Sequence, residues 1–210
     1  MIKLNRKSLT ASILFSSIAL VLHPPFLPLG IPAPYAPFLI YQIWEIPLFI
    51  CLLLFGPTAA VISGIINFIS LLIFFPGQLI SGPIYNLIAI YSSYLGIILV
   101  KRTIIKNHKF DHLLIKNHKF DYKISFKNII MVTASSMILR TLIMTIVNYI
   151  ALPRPPPIGF SIPMEAMPTT LGLIAIFNAT TIIYSIPIAF SITKTITKST
   201  DIKAWILTKI

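Results

Sequence analysis

The stretch YQIWEIPLFICLLLFGP, residues 41–57, places one charged residue, Glu45, in a run of large apolar and aromatic side chains. Outward from it in both directions, no other formal charge appears between Lys7 and Lys101. Those 93 residues would make roughly 140 Å of helix, enough for about four crossings of a ~30 Å hydrocarbon layer. The whole chain of 210 residues is 56% hydrophobic and 10% charged, with a mean hydropathy of +0.89. A soluble domain carries about 25% charged residues, and disorder requires low hydrophobicity, so both classes are excluded. The reading is an all-α integral membrane protein, one domain over residues 1–210.

Cys51 stands alone in the apolar run and reads as a small buried hydrophobe, with no disulfide framework. The start resembles a signal peptide: Lys3, Arg6 and Lys7 precede an apolar stretch from Leu9 to Leu22. No small-x-small cleavage site precedes His23 and further spans follow, so this segment reads as a retained first helix.

Proline and glycine punctuate the chain into six spans. They are roughly Ser8–Leu22, Phe38–Phe55, Pro57–Phe75, Pro83–Val100, Asn128–Leu152 and Thr169–Ile192. Basic residues cluster before the first span, in the loop 101–127 and after the last. An even number of crossings separates each cluster from the next, so all three lie on the cytoplasmic side, with both termini. The expected location is the cell membrane, as a multi-pass bundle.

Of the 17 prolines, 14 fall in the outer loops or at their edges. Proline fixes φ and removes a donor, so these loops should be stiff, extended caps, whether as a lid or as helix terminators. The inner loop repeats IKNHKFD at Ile105–Asp111 and Ile115–Asp121. His108, His112, His118, Asp111 and Asp121 could be drawn as a metal site, but a basic loop against anionic lipid headgroups explains them more simply. Nucleic-acid binding is not implied, because topology accounts for the net charge of +12.

Charged and amide side chains inside a bilayer usually face a cavity or a partner. Glu45 falls about 10 Å inside the outer end of the second span and Arg140 near the middle of the fifth. They either pair or reach a polar solute. Arg140, Met144 and Asn148 recur at i, i+4, i+8 and share a face, as do Asn178, Thr181 and Ser185 at i, i+3, i+7. Ser63, Asn67 and Ser70 line the third span, and Asn86 follows Tyr85 at the start of the fourth. These groups converge in the outer half of the bilayer. Each amide alone could serve helix packing, but the set points to a pocket open to the outside. Pro47 should break the second helix near Ile43, flanked by Tyr41, Trp44 and Glu45. An interfacial aromatic belt accounts equally for Tyr41 and Trp44.

No glycine is followed by lysine in a phosphate loop, and the spans carry too few carboxylates and histidines for acid–base or metal chemistry. An enzyme is not expected, and no cofactor is implied. The inventory fits a solute-binding bundle that takes its energy from elsewhere.

Several segments resemble the substrate-binding S components of energy-coupling factor (ECF) transporters, in their riboflavin-type branch. They are YQIWEIP at 41–47 with LFGP at 54–57, GPIYNLIA at 82–89, NYIALP at 148–153 and Phe177-Asn178. The resemblance implies capture of a vitamin-like, partly aromatic solute, riboflavin or a flavin. It also implies partnership with a shared membrane coupling subunit and two cytoplasmic ATPases. The implied docking stripe on the first helix is Ser12, Ser16 and Ala19. The implied binding set is Tyr41, Trp44, Glu45, Asn67, Tyr85, Asn86, Arg140, Asn148, Asn178 and Thr181. Asn148 and Asn178 would contact the solute, and Trp44 or Tyr85 would stack on it. The position of a family lysine is Thr181 here, and Glu45 replaces a commoner aspartate. Arg140 hints at an anionic or carbonyl-rich solute. The competing reading is a non-transporting scaffold whose amides only join helices.

Overall fold

A computed structural model describes residues 5–24, 26–74, 81–106, 126–200 and 202–207. Six helices form: α1 (Arg6–Val21), α2 (Glu45–Phe55), α3 (Pro57–Phe74), α4 (Ser81–Lys106), α5 (Phe126–Ala151) and α6 (Met167–Ser199). Four of them, α3 to α6, are long and apolar enough to cross a membrane. The 16 residues of α1 and 11 of α2 are fewer than the ~20 that a perpendicular crossing needs. The duplicated loop, with His108, His112, His118, Asp111 and Asp121, lies outside the described residues.

Helix α2 runs through the middle of the bundle. Ten of its eleven residues are buried, which is why its sequence is apolar on every side. Leu48, Phe49, Cys51, Leu52 and Leu53 are fully enclosed by side chains of the surrounding helices. Gly56 then turns the chain with a φ of +86°, and Pro57 opens α3, where a missing donor costs nothing. Trp205, in a short 3-10 turn after α6, lies against this bend.

The all-α expectation is corrected by a β-hairpin between α1 and α2. Strands β1 (Ile31–Ala33) and β2 (Ala36–Tyr41) pair antiparallel, with Ile31 opposite Tyr41 and Pro32 opposite Ile40. Ile31, Ala33 and Ala36 each precede a proline, which forces the preceding residue away from helical backbone. Both strands are edges, so Pro32 and Pro37 remove no ladder bond that a neighbour requires. The proline-rich segment before α2 is therefore a folded hairpin and not simply an extended cap. The expected span Phe38–Phe55 divides into strand and short helix, and Pro47 sits in the first turn of α2 rather than at a mid-helix break. A first-turn proline lacks only a donor that has no intrahelical acceptor, so the break near Ile43 does not arise.

Small residues set the remaining packing. A Cβ on Gly96 would lie 2.4 Å from the Ser136 Cα, so α4 and α5 touch backbone to backbone. On α1, the Ser12 hydroxyl lies 2.9 Å from the Ala59 carbonyl and the Ser16 hydroxyl 2.8 Å from the Ser63 carbonyl. Ala19 is fully buried on the same face. The stripe of Ser12, Ser16 and Ala19, expected to dock a partner, is packed against α3 in this chain. Helix α6 continues two turns past its expected end because Thr195, Thr197 and Ser199 donate to carbonyls one turn back, masking backbone there.

Candidate functional site

Because the hairpin takes up residues 31–41, α2 begins at Glu45, directly under it. A carboxylate in the first turn of a helix meets unpaired backbone N–H groups and the positive end of the dipole. Facing it from α5 is Arg140. Its Nη1 donates to Glu45 Oε2 at 2.5 Å and its Nη2 to Oε1 at 2.8 Å, a two-point grip. Its Nε donates to Asn178 Oδ1 on α6 at 2.9 Å, and Asn178 Nδ2 donates to the Ile174 carbonyl at 2.9 Å. Arg140, Glu45 and Asn178 are 3%, 5% and 4% exposed. The two charges cancel where neither is solvated, which is what makes a buried pair tolerable.

Above the pair is a cavity of about 280 Å³. Trp44, Glu45, Asn86, Arg140 and Thr181 line it, together with His23, Pro24, Ile40, Gln42 and Phe177. Its walls hold aromatic stacks. The His23 and Trp44 rings lie 4.5 Å apart at 27°, and the Phe177 ring stacks on Tyr41 at 4.9 Å and 27°. Burial pushes the His23 imidazole down to about 4, so it is neutral near pH 7. The Gln42 and Asn86 side chains make no hydrogen bond to other described residues.

Phenols tie the hairpin to α6. The Tyr41 hydroxyl is 2.6 Å from Thr180 Oγ1 and 2.5 Å from the Tyr35 hydroxyl, and the Tyr184 hydroxyl donates to the Gln42 carbonyl at 2.6 Å. The roof of the cavity is thereby bonded to its wall.

The structure brings five of the sequence-predicted residues to the cavity: Trp44, Glu45, Asn86, Arg140 and Thr181. Asn178 stands one bond behind, orienting Arg140, and Tyr41 stands behind Phe177. Asn67 lies in an adjoining crevice between α3 and α4 that Asn86 also lines and that has no room for water. Its Oδ1 is buried without a hydrogen-bond partner. Two of the expected binding residues are placed elsewhere. Asn148 donates to the Met144 carbonyl of its own helix at 2.7 Å, and Tyr85 donates to the Ile158 carbonyl at 2.6 Å, joining α4 to the α5–α6 loop. Neither lines the cavity. Sequence reading missed His23, Ile40, Gln42 and Phe177 as lining residues. Phe177 carried a signal, through its place beside Asn178, but the others follow from a hairpin that the apolar run conceals.

No family model and no curated protein matches the sequence. Among solved structures, the chain is similar to the S component of a bacterial ECF transporter, with a TM-score of 0.65 and 21% identity. The alignment covers 91% of this chain and 96% of that one. The two proteins share a fold over nearly their whole lengths.

Proposed function

We propose that this chain is the solute-capture subunit of an ECF-type importer in the cell membrane, taking up a small, partly aromatic solute such as riboflavin or a flavin. One observation carries the reading: a cavity of about 280 Å³, walled by aromatic rings and floored by a buried ion pair, in a chain with the fold of an S component. Helix packing alone gives no reason for a buried ion pair, two amides and aromatic faces to converge on one open space. This argues against the scaffold reading. The proposed roles follow the geometry. Trp44 and Phe177 offer ring faces, Gln42, Asn86 and Thr181 offer hydrogen bonds, and Asn178 holds Arg140 in place.

In this reading six helices cross the bilayer with both termini in the cytoplasm, so the hairpin and the cavity face outward. A shared membrane coupling subunit and two cytoplasmic ATPases supply the energy, and the chain itself catalyses no reaction. The test is purification of the full chain in detergent, followed by absorbance and mass spectrometry of the solute released on denaturation. A stoichiometric heteroaromatic compound is the expected result. A preparation that carries no solute, and whose melting temperature no vitamin raises, would overturn the proposal.

A further inference from the structure

The proposed capture function leaves open what kind of solute fits, and the charge arithmetic of the cavity narrows it. Among the described residues lining it, Glu45 and Arg140 are the charged ones, and each already neutralises the other. An arginine that receives an anionic solute needs its fork free. Here the fork is closed by the carboxylate, and the third edge is held by Asn178. Of the five guanidinium N–H groups, these three bonds leave two. Those two can donate to neutral carbonyls, and the Glu45 oxygens keep lone pairs for N–H donors. Gln42 and Asn86 add one amide each, with both donor and acceptor.

We infer that the cavity selects an uncharged, flat solute with an amide-like edge and discriminates against its phosphorylated or carboxylated counterparts. The stacked pairs His23–Trp44 and Tyr41–Phe177 suit a planar ring, and the amides with the ion pair suit mixed donors and acceptors on its rim. An anion would bring an uncompensated charge to a site whose own two charges already cancel. It could gain a partner only by prising Glu45 from Arg140, which strands the carboxylate. In this inference Arg140 acts as a neutralised donor rather than as the receptor for an anionic solute that its place in the sequence suggests.

The inference rests on the capture reading, and matched solute pairs separate the two. Riboflavin against riboflavin 5′-phosphate, and nicotinamide against nicotinate, are titrated onto the full chain in detergent by fluorescence and by thermal shift. For whichever scaffold binds, the neutral member should bind at least about 100-fold tighter. Equal or tighter binding of the anionic member overturns the inference and leaves the capture reading standing, as does a copurified solute that is anionic at pH 7. No binding by any of the four, with nothing copurifying, overturns both. Glu45→Gln makes the cavity net positive and should shrink the neutral-over-anionic ratio about tenfold. Glu45→Gln with Arg140→Gln, neutral again, should restore the preference and guards against a single variant that does not fold. An unchanged ratio in folded Glu45→Gln overturns the inference.

Discussion

The Arg140 guanidinium grips the Glu45 carboxylate through two hydrogen bonds of 2.5 and 2.8 Å, fastening the middle of α5 to the first residue of α2. Removing one partner strands a buried charge, so Glu45→Leu or Arg140→Met alone should destabilise by about 3–5 kcal/mol. Replacing both with apolar residues removes the charges together and should recover most of that loss. The double variant should nevertheless bind no solute, because the donors and acceptors of the cavity floor are gone. Thermal unfolding in detergent, paired with solute titration, reads both effects. A double variant that keeps wild-type affinity would contradict the assigned role.

Asn178 and Asn148 look alike in the sequence, yet their bonds differ. Asn178 accepts from the Arg140 Nε, and Asn148 donates only to its own helix at Met144. Asn178→Ala should therefore lower solute affinity about tenfold by freeing the guanidinium to reorient, a loss consistent with one hydrogen bond to a charged group. Asn148→Ala should leave affinity within about twofold, since it removes a bond remote from the cavity. Isothermal titration of the two variants with one solute tests the pair, and equal losses would refute the distinction.

Much of this arrangement was legible from residue spacing, and what was not has physical causes. The interval Arg140, Met144, Asn148 correctly assigns one buried face of α5, because helical periodicity is strong over long apolar segments. Periodicity does not say how far along that face a cavity extends, so spacing alone groups Asn148 with Arg140. The run Phe38–Phe55 is apolar except for Gln42 and Glu45, and such a run does not distinguish strand from helix by pattern. The prolines at 32, 34 and 37 carried the strand signal, through the residues before them. The small stripe of Ser12, Ser16 and Ala19 marked close packing, but packing against α3 and against another protein require the same residues.

Gly56 bends the chain between α2 and α3 with a φ of +86°, and a Cβ there would lie 2.8 Å from the Trp205 ring. Lys101 stacks on that ring at 3.6 Å and donates to the Trp205 carbonyl, pinning the 3-10 turn beneath the helix. Gly56→Ala should thus destabilise by about 1–3 kcal/mol through backbone strain plus displacement of the turn. Adding Trp205→Ala to Gly56→Ala removes the steric part and keeps the strain, so the two substitutions should be less than additive. A thermal double-mutant cycle measures the coupling, and strict additivity would mean the ring is not what the bend accommodates.

His23 supplies a pH dependence of defined sign. Its imidazole, stacked on Trp44, is lowered by burial from 6.5 to about 4. Between those values the unfolded chain binds the proton and the folded chain does not, so stability rises with pH across the window. The contribution is whole above pH 6.5, is lost progressively as pH falls toward 4, and changes no further below that. Solute binding should weaken over the same interval, because a protonated His23 would charge the cavity wall. His23→Phe keeps a ring against Trp44 and carries no proton, so the part of the acid sensitivity between pH 6.5 and 4 that His23 causes should vanish. Melting temperatures of wild type and His23→Phe, measured across that range, test this directly. Curves that run parallel would show that the histidine titrates as freely in the folded protein as in the unfolded chain.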